Sequence, residues 1–109
     1  MFEILRKNHM RVVKGDTAIF NINIDGYDFV AGDKVYFTIK KDIKDKEYTL
    51  QKVVSEFSNN SAIFELNKDD TNLEVGSYIY DIQVTLHDGK VDTIILPSKF
   101  EVLEGVTND

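Results

Sequence analysis

From Thr17 to Ile24 the chain alternates, with Ala18, Phe20, Ile22 and Ile24 on one face and Thr17, Ile19, Asn21 and Asn23 on the other. That period of two predicts a strand with one buried side. Asp25-Gly26 interrupts it, and Gly32-Asp33 introduces a second strand in which Val35, Phe37 and Ile39 alternate with Tyr36, Thr38 and Lys40. Tyr48, Leu50, Val53 and Val54 predict a third, less regular strand. Ala62, Phe64 and Leu66 mark a fourth after the turn residues Ser58-Asn59-Asn60. From Tyr78 to Leu103 the pattern is that of a long hairpin turning at Asp88-Gly89, a dipeptide suited to the positive φ angles of a type I′ turn. Counting back from that turn pairs Leu86 with Val91, Val84 with Thr93, Ile82 with Ile95 and Tyr80 with Pro97. Pro97 has no N–H for a ladder, so it should end a strand or lie at an edge before Phe100 and Val102 resume the alternation.

Between Asn67 and Leu73 the alternation lapses, and Asn67 is placed to cap a single helical turn carrying Asp69 and Asp70 at its positive end. No longer helical period occurs. About seven short strands separated by turn signals predict an all-β, immunoglobulin-like antiparallel sandwich, with a small closed barrel as the alternative. Its core should include Ala18, Phe20, Ile22, Phe37, Ile39, Phe64, Leu66, Tyr80, Ile82 and Val84. Leu73-Glu74-Val75-Gly76-Ser77-Tyr78 has the form Leu-x-x-Gly-x-Tyr of a tyrosine corner, in which the hydroxyl bonds back to the backbone of the corner. The alternative is that Tyr78 is simply an interior aromatic.

The chain has 109 residues, enough for one core, and no low-complexity linker divides it. The expected division is an N-terminal arm, residues 1–9, followed by one sandwich domain, residues 10–107. With no cysteine, disulfides, thiolate nucleophiles and cysteine-based metal sites are excluded. A net charge of −6, with arginine only at positions 6 and 11, makes nucleic acid a poor partner. No apolar run has the length of a membrane span, and MFEILRKNHM lacks the apolar core of a signal peptide, so neither a membrane nor signal-directed export is expected.

Catalytic and metal-binding candidates are few. His87 flanks the hairpin turn, and the only other histidine, His9, lies in the expected arm, so His87 reads as an exposed turn residue rather than a base or ligand. Asp81 shares its strand face with Gln83, Thr85 and His87 and has no second carboxylate opposite it for acid–base work; a solvated face accounts for it. Asp25, Asp28 and Asp33 lie close enough in sequence to suggest Ca²⁺, but DGYDFVAGD lacks the regular ligand spacing of a calcium loop, and turn formation is the simpler reading. Lys40, Lys41, Lys44 and Lys46 are interleaved with Asp42, Asp45 and Glu47, as in a mobile solvated loop. These readings point away from an enzyme and require no cofactor.

Some apolar side chains are not needed by an isolated sandwich. Phe2, Ile4 and Leu5 lie in the arm, and Tyr36, Ile63, Ile79 and Ile94 fall on faces assigned to solvent. Phe2, Ile4, Leu5, Tyr36, Ile79 and Ile94 are therefore the candidate interface, with the arm expected to dock on a neighbouring molecule. Tyr27, Phe29, Tyr36 and Tyr48 offer an aromatic platform for the competing possibility, a small-molecule or carbohydrate-binding module.

Three stretches carry a resemblance: Val13-Lys14-Gly15-Asp16-Thr17; Gly32-Asp33-Lys34-Val35-Tyr36-Phe37-Thr38-Ile39; and Leu73-Glu74-Val75-Gly76-Ser77-Tyr78-Ile79-Tyr80-Asp81-Ile82, followed by Gly89, Thr93-Ile94 and Phe100-Glu101-Val102. From about Met10 to Thr107 the chain resembles the immunoglobulin-like N-terminal domain of phage baseplate upper proteins and related phage and prophage tail proteins of Gram-positive hosts. The resemblance implies a non-catalytic structural module, made in the bacterial cytoplasm and carried in the virion. Its expected partners are other virion or tail proteins or copies of itself, so a homo-oligomer is an expectation too. It supplies no active-site residues. Baseplate upper proteins continue into further domains, whereas this sequence stops at Asp109, which weakens any expectation of a direct role in host attachment.

Overall fold

The computed structural model describes residues 1–106. It is an all-β sandwich of eight strands: β1 (Phe2–Ile4), β2 (Met10–Val13), β3 (Ala18–Ile22), β4 (Lys34–Lys40), β5 (Leu50–Val54), β6 (Ala62–Leu66), β7 (Gly76–Thr85) and β8 (Val91–Leu103). Six strands form one sheet in the order β1-β2-β8-β7-β4-β5, and β3 and β6 pair as a second. All ten side chains expected in the core are buried, joined by Met10, Val12, Val35, Ala62, Tyr78, Phe100 and Val102. Phe20 stacks on its cross-strand partner Phe64 (ring centroids 5.3 Å apart) and meets Phe37 of the facing sheet edge-on at 5.2 Å. Phe37 in turn contacts Tyr80 and Phe100, so the two sheets close on one aromatic cluster.

The count of eight rather than about seven has two causes. The segments on either side of Pro97 belong to a single 13-residue strand, and the N-terminal stretch supplies two more strands. The expected arm is thus folded onto the sandwich, with Phe2, Glu3 and Ile4 opposite Val12, Arg11 and Met10. Thr107, the last residue of the expected domain, lies outside the described residues. Nor is the pairing antiparallel throughout, because β2 runs parallel to the end of β8 with Met10 opposite Phe100 and Val13 opposite Leu103.

The hairpin register is corrected as well. Gly89 alone takes a left-handed φ (+90°), its N–H donates to Leu86 O (2.8 Å), and Leu86 N–H donates to Lys90 O (2.7 Å). This three-residue loop sets Thr85 opposite Val91 and Gln83 opposite Thr93, one step from the register a two-residue turn would give. Two irregularities in β8 then accommodate extra residues, so Ile82 still faces Ile95 while Tyr80 faces Ser98. Pro97 sits at the second, on the part of β8 that β2 does not cover, where its missing N–H breaks no ladder. The type I′ geometry occurs instead at Asn59-Asn60, both left-handed (φ +49° and +58°), where Ser58 and Ser61 exchange two backbone hydrogen bonds. Asn67 caps as expected, its Oδ1 accepting the N–H groups of Asp69 and Asp70 at 2.9 Å, while Asp70 Oδ2 returns a bond to Asn67 N–H. Tyr78 is both interior and a tyrosine corner: it is buried, and its hydroxyl donates to Glu74 O at 2.6 Å.

Candidate functional site

Three connections are tied together by hydrogen bonds: the β3–β4 loop, the β5–β6 turn and the β7–β8 turn. The organising group is Asp33, which ends the β3–β4 loop and is 0% exposed. Its Oδ2 accepts the Tyr27 hydroxyl (2.7 Å) and Val30 N–H (3.0 Å). Its Oδ1 accepts His87 N–H (2.8 Å) and lies 3.1 Å from His87 Nδ1. Gly32, at φ +98°, makes the approach possible, since a Cβ there would lie 3.0 Å from His87 Cβ. Burial by itself would raise the Asp33 carboxyl. The converging donors from Val30, Tyr27 and His87 outweigh it and hold the group well below the usual carboxylate range. The same bond pushes the Tyr27 phenol up to about 12, with burial and the charges of Asp33 and Asp88 adding to it.

A second clasp joins the loops from the other side. Asn60 Oδ1 accepts Phe29 N–H (2.7 Å), and its Nδ2 donates to Asp28 Oδ1 (3.1 Å) and Tyr27 O (3.3 Å). Phe29 stacks on Phe57 with centroids 4.2 Å apart. Chemically, the arrangement fixes loops on a rigid scaffold and orients one imidazole. An Nδ1–H tautomer of His87 donates to Asp33, and the ring remains 51% exposed.

The histidine read as a plain turn residue is therefore a clamp on a buried carboxylate 54 positions away. Asp33 was missed as anything beyond a turn former. The local signal existed, because its bond to Val30 N–H three residues back is an ordinary loop contact, but nothing in the sequence announces the partnership with His87. Of the acids grouped with it, Asp28 binds Asn60 and Asp33 faces inward.

The candidate interface residues fall into different settings. Tyr36 and Ile79 are half-buried on the outer face of the six-stranded sheet. Ile79 lines a shallow groove with Ile43, Pro97 and Asp81, while Tyr36 lines an adjoining depression with Tyr48, Gln51 and Asp81. Burial raises the Asp81 carboxyl, opposed by the charge of Lys40. Ile94 is corrected: at an irregularity of β8 it packs, partly buried, against the core rather than facing solvent. Phe2 also packs on the core, its ring stacked 5.6 Å from Phe20, whereas Ile4 and Leu5 are exposed.

The four aromatics of the possible platform form two pairs. Tyr27 and Phe29 meet edge-on at 5.9 Å in the loop, and Tyr36 and Tyr48 share the sheet face. The lysine-rich β4–β5 connection is more ordered than a mobile loop: Lys40 Nζ donates to Asp45 O, Asp42 and Asp45 bond reciprocally, and Lys41 Nζ lies 4.4 Å from the Tyr78 ring centroid. Comparison with known proteins supplies no relative: no family model, curated protein or solved structure matches the chain.

Proposed function

We propose that the chain is a non-catalytic assembly module of a phage or prophage particle, made in the bacterial cytoplasm and built into the tail or baseplate through contacts with other virion proteins or with itself. The immunoglobulin-like part of this reading is supported by the strand order β8-β7-β4-β5 facing β3-β6 and by the tyrosine corner opening β7. The observation that carries the contact role is the outer face of the six-stranded sheet, where Tyr36 and Ile79 stand among Thr38, Gln83 and Asp81 on β4 and β7, each paired on both sides, with Val53 on the edge strand β5 and Ile43 in the β4–β5 connection beside them. Apolar groups on so rigid a surface suit a docking face. The test is the protein content of particles purified from the strain that encodes the chain. The chain should be present in fixed stoichiometry, and a folded Tyr36→Lys/Ile79→Lys variant should be lost from otherwise intact particles. Particles that lack the chain overturn the proposal.

A second reading has its own observation, the depression in which Tyr36 and Tyr48 stand beside Gln51 and Asp81. Aromatic faces with an amide and a carboxylate suit a sugar. A saturable rise in melting temperature with a glycan, abolished by Tyr48→Ala, would favour it.

A further inference from the structure

We infer that β1 is an exchangeable strand, so that in a dimer of this chain Phe2–Ile4 of each copy pairs with β2 of the other. Everything that holds β1 lies beyond one tight turn: Met10–Val12 are its ladder partners, Arg11 binds Glu3 through Nε (3.0 Å) and Nη2 (2.8 Å), and Phe20 supports Phe2. A second copy offers those same groups in the same arrangement. The turn itself opposes closure. Lys7 is left-handed (φ +57°), a conformation that a lysine adopts only at a cost, Asn8 beside it shares that region (φ +60°), and next to them His9 Nε2 is buried without a hydrogen-bond partner, 3.4 Å from Glu101 Oε1.

Leu5 N–H to His9 O, His9 N–H to Arg6 O and the Tyr80 hydroxyl to Asn8 O hold the turn shut. Extending residues 5–9 gives up these bonds and the Glu101 contact but frees both left-handed residues and lets His9 Nε2 reach water. Five extended residues reach about 17 Å, enough to carry β1 off its own sheet. Because each copy fills the slot that the other vacates, the exchange closes at a two-fold dimer and leaves no slot for further growth. The inference stands apart from the virion reading, since it requires only a second copy.

The chain has no cysteine, so Glu3→Cys/Arg11→Cys, which places one thiol on each strand of the pair, reports where β1 lies. The parent chain is first followed by light scattering through a dilution series, and a dimer is expected at high concentration. Oxidising the separated dimer of the cysteine variant should give chains linked to each other on a non-reducing denaturing gel, while the monomer fraction gives only internal disulfides. Lys7→Gly/Asn8→Gly, which makes the closed turn easy, should weaken dimerisation about tenfold or more. A parent chain that is monomeric at every concentration overturns the inference. So do dimers whose disulfides all lie within one chain, or a glycine variant that dimerises as strongly as the parent.

Discussion

The loop cluster around Asp33 and the hairpin formed by β1 and β2 are both joined to the sandwich by side-chain hydrogen bonds, but in opposite ways. Around Asp33 a single buried carboxylate draws donors from its own loop and from the distant β7–β8 turn, and a glycine is positioned to let that turn approach. At the N-terminal hairpin the contacts are mostly with the next few residues, and the turn contains two left-handed residues that are not glycine. Irregular backbone is rigid where its polar groups are gathered on a buried anchor. Where they are not, the same irregularity stores a tendency to open.

The largest effect that sharpens this contrast is at the anchor. Asp33→Ala leaves the donors of Tyr27, Val30 and His87 without their acceptor and should cost about 3 to 5 kcal/mol in urea unfolding. A cost under about 1 kcal/mol would mean that the loops hold without it. At the other region Phe2→Ala removes a partly buried ring and should cost only about 1 to 2 kcal/mol, against about 3 to 5 for the buried Phe20 on which it stacks. Equal losses at the two positions would erase the distinction.

The anchor should also respond to acid. Its folded-state pKa is depressed, so its contribution is fully present above the unfolded carboxylate value near 4 and is lost as pH falls below that. Unfolding measured from pH 6 down to pH 2 should therefore steepen below about 4 in the parent and less so in Asp33→Asn. Smaller still is His87→Ala, which spares the backbone N–H and should cost about 0.5 to 1.5 kcal/mol. By hydrogen exchange, the amides of β1 should exchange well before those of β7, which is paired on both sides. Similar protection of the two strands would count against an exchangeable β1.

The core was legible because Phe20, Phe37, Phe64 and Ile82 lie in alternating runs whose period fixes their face, whatever the partner strand. Tyr78 and Asn67 were legible for a different reason: each is satisfied within four residues, so the motif carries its own partner. The parts that escaped depend on distance or on a one-residue shift. Met10–Val13 is too short to show a period, and its parallel partner lies 90 residues downstream. Ile94 was assigned to the wrong face because alternation cannot register an irregularity in the strand, and a single extra residue reverses every side chain beyond it. Asp33 and His87 look like turn residues taken separately, and only the fold brings them together.

The parallel pairing of β2 with β8 has a mechanical consequence. Tension applied through Met1 would first peel β1 away, one hydrogen bond at a time, because an antiparallel strand is pulled from its end. Once β1 is drawn out, the load passes to the start of β2. If the other handle is the end of β8, the two points of traction lie at opposite ends of a parallel ladder. Force then runs along the strands and strains the bonds from Met10 to Val13 together, so the sandwich resists in shear at this seam after yielding easily at the strand outside it.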